Sequence, residues 1–288
     1  MLDRISLVLK YRSRFAGSAV FYDSAKRLPV MVEELFELFR YRDLIFQLVR
    51  RDIVTRYKRS ILGVAWTMLS PLGMMVVLLL ALSTLFGGSR STAVYLLSGL
   101  IAWTFFAQST NAAMSQFAQG GTLLHRIYVP RTTFAISAVG TGLVNLVLSF
   151  IPLSLVMVVS GAPFPPTILF LPVSVLLFAL FTLGIALLVS TMAVYFPDVA
   201  EMYQIALLAW MYLTPIIYPE EIVPEAYRWW MFNLNPMYHL VTLFRLPLYD
   251  GILPSLPRLA SATAMALIVF VIGWVVFTRR ADEFAYRV

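Results

Sequence analysis

Residues 62–86, 93–114, 132–160, 167–195, 199–218 and 259–278 form six long apolar runs. Between their ends there is no Asp, Lys or Arg, and Glu201, in the first turn of 199–218, is the only Glu. A bilayer core about 30 Å thick takes about 20 residues of helix. Lipid offers no partner to a backbone N–H or C=O, so a chain of such runs is confined to helices that satisfy those groups internally. The expectation is an all-α integral membrane protein with six transmembrane helices. Charged residues make up 13% of the chain, against about 25% in a soluble domain, which excludes an ordinary soluble fold. Pro71 falls within 62–86 and predicts a kink there.

A basic segment feeds the first run. Residues 33–61 begin acid-first with Glu33-Glu34-Leu35-Phe36-Glu37, which suits the positive end of a helix dipole. Ile45, Val49, Ile53 and Tyr57 recur every four residues, widened by Leu44 and Leu48. Arg42, Arg50, Arg51, Arg56, Lys58 and Arg59 occupy the other faces. The pattern predicts an amphipathic helix in the membrane interface. The alternative is a helix packed on other protein with a solvated basic face. Residues 1–32 contain no apolar run long enough for a secretory signal and read as a cytoplasmic tail.

Basic residues near the span ends set orientation. They gather before 62–86, in the 115–131 loop (Arg126 and Arg131) and in the 279–288 tail (Arg279, Arg280 and Arg287). That places both termini in the cytoplasm. Arg228, Arg245 and Arg258, in the connection 219–258, run against the rule. This connection is too apolar for a plain loop, yet neither of its apolar runs can span. It reads as re-entrant or interfacial helices dipping in from the outer face. Trp229 and Trp230 also fit an aromatic belt at headgroup depth.

The missing chemistry is as informative. Ion-coupled transporters usually carry ionisable residues inside the membrane, and membrane glycosyltransferases need carboxylates for base or metal work. Neither signature is present. There is no G-x-x-x-x-G-K-[ST] phosphate loop, so energy for active movement would come from another chain. With no cysteine and only His125 and His239, no metal site is expected. The net charge of +7 is explained by residues beside spans and does not point to nucleic acid. Asp198-Val199-Ala200-Glu201 has capping-box spacing with Asp at the cap. Tyr203, Leu207, Trp210, Thr214 and Ile217 share one helical face; such a stripe either packs, meets lipid or lines a path for sugar rings.

Arg51-Asp52-Ile53-Val54-Thr55-Arg56-Tyr57-Lys58-Arg59-Ser60-Ile61-Leu62-Gly63-Val64-Ala65-Trp66, followed by Pro71-Leu72, resembles the opening segment of ABC-2 type export permeases. The closest branch exports O-antigen, teichoic acid and related polysaccharides. Thr214-Pro215-Ile216-Ile217-Tyr218-Pro219 and Asn235-Pro236-Met237-Tyr238 with Arg245 resemble two later landmarks, and Val129-Pro130-Arg131 resembles the loop between spans two and three. The resemblance covers about residue 40 onward.

The resemblance implies a bacterial plasma (inner) membrane subunit that works as a homodimer on two copies of a separate ATPase, which would hold the ATP and Mg; no cofactor is implied on this chain. The implied cargo is a glycan on a polyprenyl pyrophosphate. Arg50, Arg51, Arg56 and Lys58 become candidates for the lipid pyrophosphate. Asp52, His125, Arg126, Arg131, Asp198 and Glu201 become candidates for ATPase coupling. Trp66, Tyr203, Trp210 and Thr214 would line the channel. Tyr218, Trp229, Trp230, Tyr238 and Arg245 would form an outer gate. The same fold also suits export of a small lipophilic drug or lipid, and a membrane scaffold without transport is a third reading.

Overall fold

The computed structural model describes residues 34, 37–58, 62–63, 65–81, 92–118 and 130–284. The predicted tail 1–32, the Gly87–Arg90 turn, His125 and Arg126 lie outside them. Nine α-helices are described: α1 Arg42–Tyr57, α2 Ala65–Ala81, α3 Thr92–Ala118, α4 Thr132–Ser160, α5 Leu171–Tyr195, α6 Val199–Leu213, α7 Glu225–Asn233, α8 Pro236–Arg245 and α9 Leu256–Arg280. Among the described residues there is no strand.

Four helical stretches are long and apolar enough to cross a membrane: Thr92–Phe117, Thr132–Ser160, Pro166–Tyr195 and Leu256–Arg280. Of the other two apolar helices, α6 is shorter than the sequence suggests, and α2 runs to the edge of the described residues at Ala81. α2 has 17 residues and α6 has 15, about 25 and 22 Å at 1.5 Å per residue. Pro71 is buried inside α2, within one continuous helix. α6 stops at Leu213 instead of running to Tyr218 because Pro215 forces its predecessor out of the helical region. Thr214 is extended, with ψ 131°.

α3 lies at the centre: 72% of its apolar stretch is buried inside the protein, against 22–33% for the other three. It packs against α2, α4, α5, α6 and α8. α5 and α9 pack along each other, and their backbones touch at two glycines. A Cβ on Gly184 would fall 2.7 Å from the backbone of Phe270, and one on Gly273 would fall 2.2 Å from the Gly184 carbonyl oxygen. Small residues at such a crossing let helices approach closely in a membrane. A cluster of aromatic rings then joins three helices: Phe106 of α3 stands 5.8 Å from Phe181 of α5 and 5.4 Å from Trp210 of α6.

The apolar stripe of α1 faces protein. Leu48 is buried and Leu44, Ile45, Val49 and Ile53 are half-buried, with α1 packed on α4. A Cβ on Gly140 of α4 would meet Val49 at 3.0 Å. The packed alternative therefore holds for the stripe, whereas Phe46 and Val54 stay exposed. The capping box at Asp198 does not form. Asp198 has helical angles and its side chain accepts no capping bond. Instead Phe196 and Pro197 start the helix through their carbonyls, which accept from Val199 and Ala200.

Candidate functional site

The break after α6 is held by the side chains of Tyr95, Asn235 and Arg245. Arg245, the last residue of α8, is 6% exposed. Its Nη1 donates to the Pro215 carbonyl at 3.0 Å and its Nη2 to the Ile216 carbonyl at 3.3 Å. Its guanidinium lies 3.7 Å from the ring centroid of Tyr95 on α3. The Tyr95 hydroxyl reaches the carbonyls of Pro215 (3.2 Å) and Tyr218 (2.9 Å). Room for the guanidinium comes from Gly99, where a Cβ would fall 2.3 Å from Nη2. Pro215 ends α6, and a cation satisfies the carbonyls of the turn that follows. The ring face offers a second attraction to the charge.

Asn235 is the second hub. It caps α8, with Pro236 in the first turn, a combination that pre-sets a helix start. Its Oδ1 accepts from Met237 N (3.0 Å) and Trp210 Nε1 (2.8 Å). Its Nδ2 donates to Leu213 O (3.2 Å) and Thr214 Oγ1 (2.9 Å). One amide thus ties the end of α6 to the start of α8. Ser174 of α5 donates to Leu243 O at 2.8 Å, and Thr167 donates to Pro247 O at 2.9 Å. α8 is locked into the bundle through Met237, Leu240, Val241, Leu243 and Phe244, all buried.

Tyr238 stacks on Phe232 with centroids 4.6 Å apart and donates its hydroxyl to Glu220 at 3.1 Å. Burial, reinforced by Glu220, pushes that hydroxyl up to about 12, so it stays a donor at neutral pH. Beside it a cavity of about 390 Å³ collects Glu220, Glu221, Asp250, Arg245, Arg258 and Tyr95. Tyr218, Tyr238 and Arg245 meet in this network. Trp229 and Trp230 do not: they are 68% and 42% exposed on α7. Sequence reasoning missed Tyr95 and Glu220, and gave Asn235 only as part of a landmark without a site role. The Asn-Pro pair carried a helix-start signal, whereas Tyr95 had none, because its partners are about 120 residues away.

The stripe on α6 turns inward. Tyr203 is buried and donates to Thr110 Oγ1 at 2.8 Å. Trp210 packs against Phe106 and Phe181, and Thr214 is fully buried. Within one chain these three candidates pack toward the protein core. The outward face carries Met202, Ile205, Leu208 and Tyr212, with Gln204 bonded to Asn111 of α3 at 2.7 Å. Trp66 is 61% exposed on α2.

The remaining candidates lie at the other end, where α9 finishes. Arg50, Arg51 and Arg56 are exposed on α1, and Lys58 is exposed just past its end. Arg51 is ion-paired with Asp52 at 2.8 Å, and Gln116 of α3 reaches Asp52 at 3.5 Å. Arg131 lies over the ring of Phe284, 5.7 Å from its centroid. Phe284 is buried against Phe117, Phe277 and Tyr195. Tyr195 donates to Glu283, which also pairs with Arg280 at 3.5 Å. Asp198 and Glu201 are exposed. Among the described residues no group of His, Cys, Asp and Glu could hold a metal ion.

Residues 43–249 match the family described as ABC-2 type transporter. The chain is 31% identical over 258 residues to the O-antigen export system permease protein RfbA of Myxococcus xanthus, covering 88% of this chain and 99% of that protein. It is 22% identical over 245 residues to the RfbA permease of Klebsiella pneumoniae, covering 84% and 94%. It is 26% identical over 238 residues to the polysialic acid transport protein KpsM of Escherichia coli, covering 81% and 91%.

Proposed function

The chain belongs to the ABC-2 type transporter family, and from that premise we propose that it is the permease subunit of a polysaccharide exporter. The cargo is a glycan carried on a polyprenyl pyrophosphate, moved across a bacterial inner membrane. The observation that carries this reading is the match along nearly the whole length of a protein named as an O-antigen export permease. In this reading two copies of the chain pair in the membrane, and each rests on an ATPase subunit that holds ATP and Mg. Six helices span: the four long ones, plus α2 and α6 where the bilayer is locally thin or completed by flanking residues. α7 and α8 are re-entrant from the outer side, and both termini are cytoplasmic. The exposed apolar faces of α2 and α6 support a pairing or pathway role for these two helices, because each leaves more surface uncovered than a core helix would.

The roles divide by end. Arg50, Arg56 and Lys58 are open to a pyrophosphate, for which guanidinium and ammonium groups supply charge-assisted hydrogen bonds. Arg51 reaches the same region only by leaving Asp52. Arg131, Asp198 and Glu201 face the ATPase side. Arg245 and Tyr238 hold the outer segment closed. The test is reconstitution of the chain with its ATPase in vesicles loaded with lipid-linked glycan. ATP-dependent transfer of glycan to the opposite leaflet is expected. ATP hydrolysis without transfer, or transfer of a lipophilic dye in its place, rejects the polysaccharide reading.

A further inference from the structure

A second cavity, about 530 Å³, opens between α7, α8 and the first turns of α9. Its lining includes Arg228, Trp229, His239, Arg258, Ser261 and Met265. No acidic side chain lines it. Among the described residues, neither Arg228 nor Arg258 forms an ion pair. Arg228 donates Nε to Val223 O (2.8 Å) and Nη2 to Glu221 O (2.9 Å), which fixes its guanidinium and leaves Nη1 available. Arg258 is exposed. Inside this cavity the two cations meet no carboxylate, while Arg258 also borders the cavity that holds Glu220, Glu221 and Asp250.

The position of this pocket narrows its occupant. Its lower wall, Met265, leads onto a side of α9 where Leu267, Ile268, Val271 and Ile272 are all exposed. In a bilayer that side meets hydrocarbon. Trp229 lines it and is exposed, and Tyr227 and Trp230 are exposed on the same short helix, which marks headgroup depth, where such rings concentrate. A molecule with its anionic group between Arg228 and Arg258 would lay its apolar chain along α9. Guanidinium groups match phosphate geometry and are more weakly hydrated than ammonium. His239 is held through both ring nitrogens, by Asn233 O at 3.2 Å and Ser261 Oγ at 3.3 Å, which fixes the ring as a wall of the cavity.

We propose that this pocket binds the phosphate headgroup of a membrane lipid, with Arg258 and Arg228 as its cationic clamp. Such a site would anchor α7 and α8 to the leaflet they face. It rests on the placement of α9 in a membrane and does not depend on the exporter's cargo. The phosphate can belong to a phospholipid or to a prenyl diphosphate, and the experiment separates them.

The full chain in uncharged detergent is titrated with dihexanoyl phosphatidylglycerol, dihexanoyl phosphatidylcholine and farnesyl diphosphate, with bound species counted by native mass spectrometry. Arg258→Gln is expected to weaken an anionic probe by about ten-fold, the loss of one charge-assisted contact, and to leave phosphatidylcholine unchanged. Met265→Trp, which fills the pocket without altering charge, is expected to do the same. Arg279→Gln, at the opposite end of α9, is expected to change nothing. Loss confined to phosphatidylglycerol assigns the site to phospholipid; loss confined to farnesyl diphosphate assigns it to a prenyl diphosphate. If both anionic probes bind the two pocket variants as they bind the unaltered chain, the site is overturned. Glycan transfer in vesicles is a separate readout, so failure here leaves the export reading standing.

Discussion

Arg245 carries a positive charge into a region where fewer than one tenth of its surface reaches solvent. It is kept there by two backbone carbonyls and one ring face. Arg245→Ala removes the donors and leaves those carbonyls buried, so about 2–4 kcal/mol of stability is expected to be lost, read as a lowered unfolding midpoint in detergent. Gly99→Ala, whose Cβ would fall 2.3 Å from Nη2, attacks the same contact from the other side. The double variant is expected to lose clearly less than the sum of the two single losses, because both remove one interaction. Full additivity would show that Gly99 and Arg245 act independently. Asn235→Ala deletes a helix cap and the link to Trp210, an expected cost of about 1–3 kcal/mol; Asn235→Asp keeps the accepting oxygen and is expected to retain part of it. Arg245 and the Asn-Pro pair were legible in the sequence as landmarks. Their partners were not, since hydrogen bonds across 21 to 30 residues of chain depend on how α6 and α8 stack.

Helix identity was readable from runs of apolar residues, but helix ends were set by local chemistry. Thr132–Ser160 emerges with the predicted bounds because Gly161 adopts φ 69° and closes the helix. α6 falls short because Pro215 removes a donor. Glycines separate two kinds of cost. Gly161→Ala strains a left-handed residue with nothing within 4 Å and is expected to cost about 1 kcal/mol. Gly184→Ala drives a Cβ into the backbone of α9 and is expected to cost several-fold more, seen as loss of the monodisperse peak on size-exclusion chromatography. Equal behaviour of the two variants would show that α5 and α9 can part without penalty. Which glycine mattered this way was not visible in the sequence, since contact between α5 and α9 joins positions far apart in the chain.

Across the whole molecule, the two ends differ in character. One gathers α1, Arg131, Asp198 and Glu283; the other gathers the Arg245 network and the exposed Trp229. The chain has no cysteine, so single cysteines report sidedness without background. In intact cells with a permeabilised outer layer, a membrane-impermeant maleimide is expected to label Trp229→Cys. Asp198→Cys and Glu283→Cys are expected to react only after the inner membrane is opened. Labelling of Asp198→Cys in intact cells would invert the topology and move the basic helix to the outside.

The sequence by itself determined that this chain crosses a membrane as helices and where four of the crossings lie. Those properties follow from composition over short windows, since transfer into hydrocarbon is a sum over neighbouring side chains. Only the tertiary structure decided which face of each helix is buried. The α6 stripe could have met lipid, sugar or protein, and it meets Phe106, Phe181 and Thr110. The α1 stripe could have met lipid, and it meets α4. Periodicity states that a face is apolar but not what covers it. That is fixed by close packing between segments distant in the chain, and in hydrocarbon, where lipid tails are as apolar as leucine, side-chain shape and a few buried polar bonds make the choice.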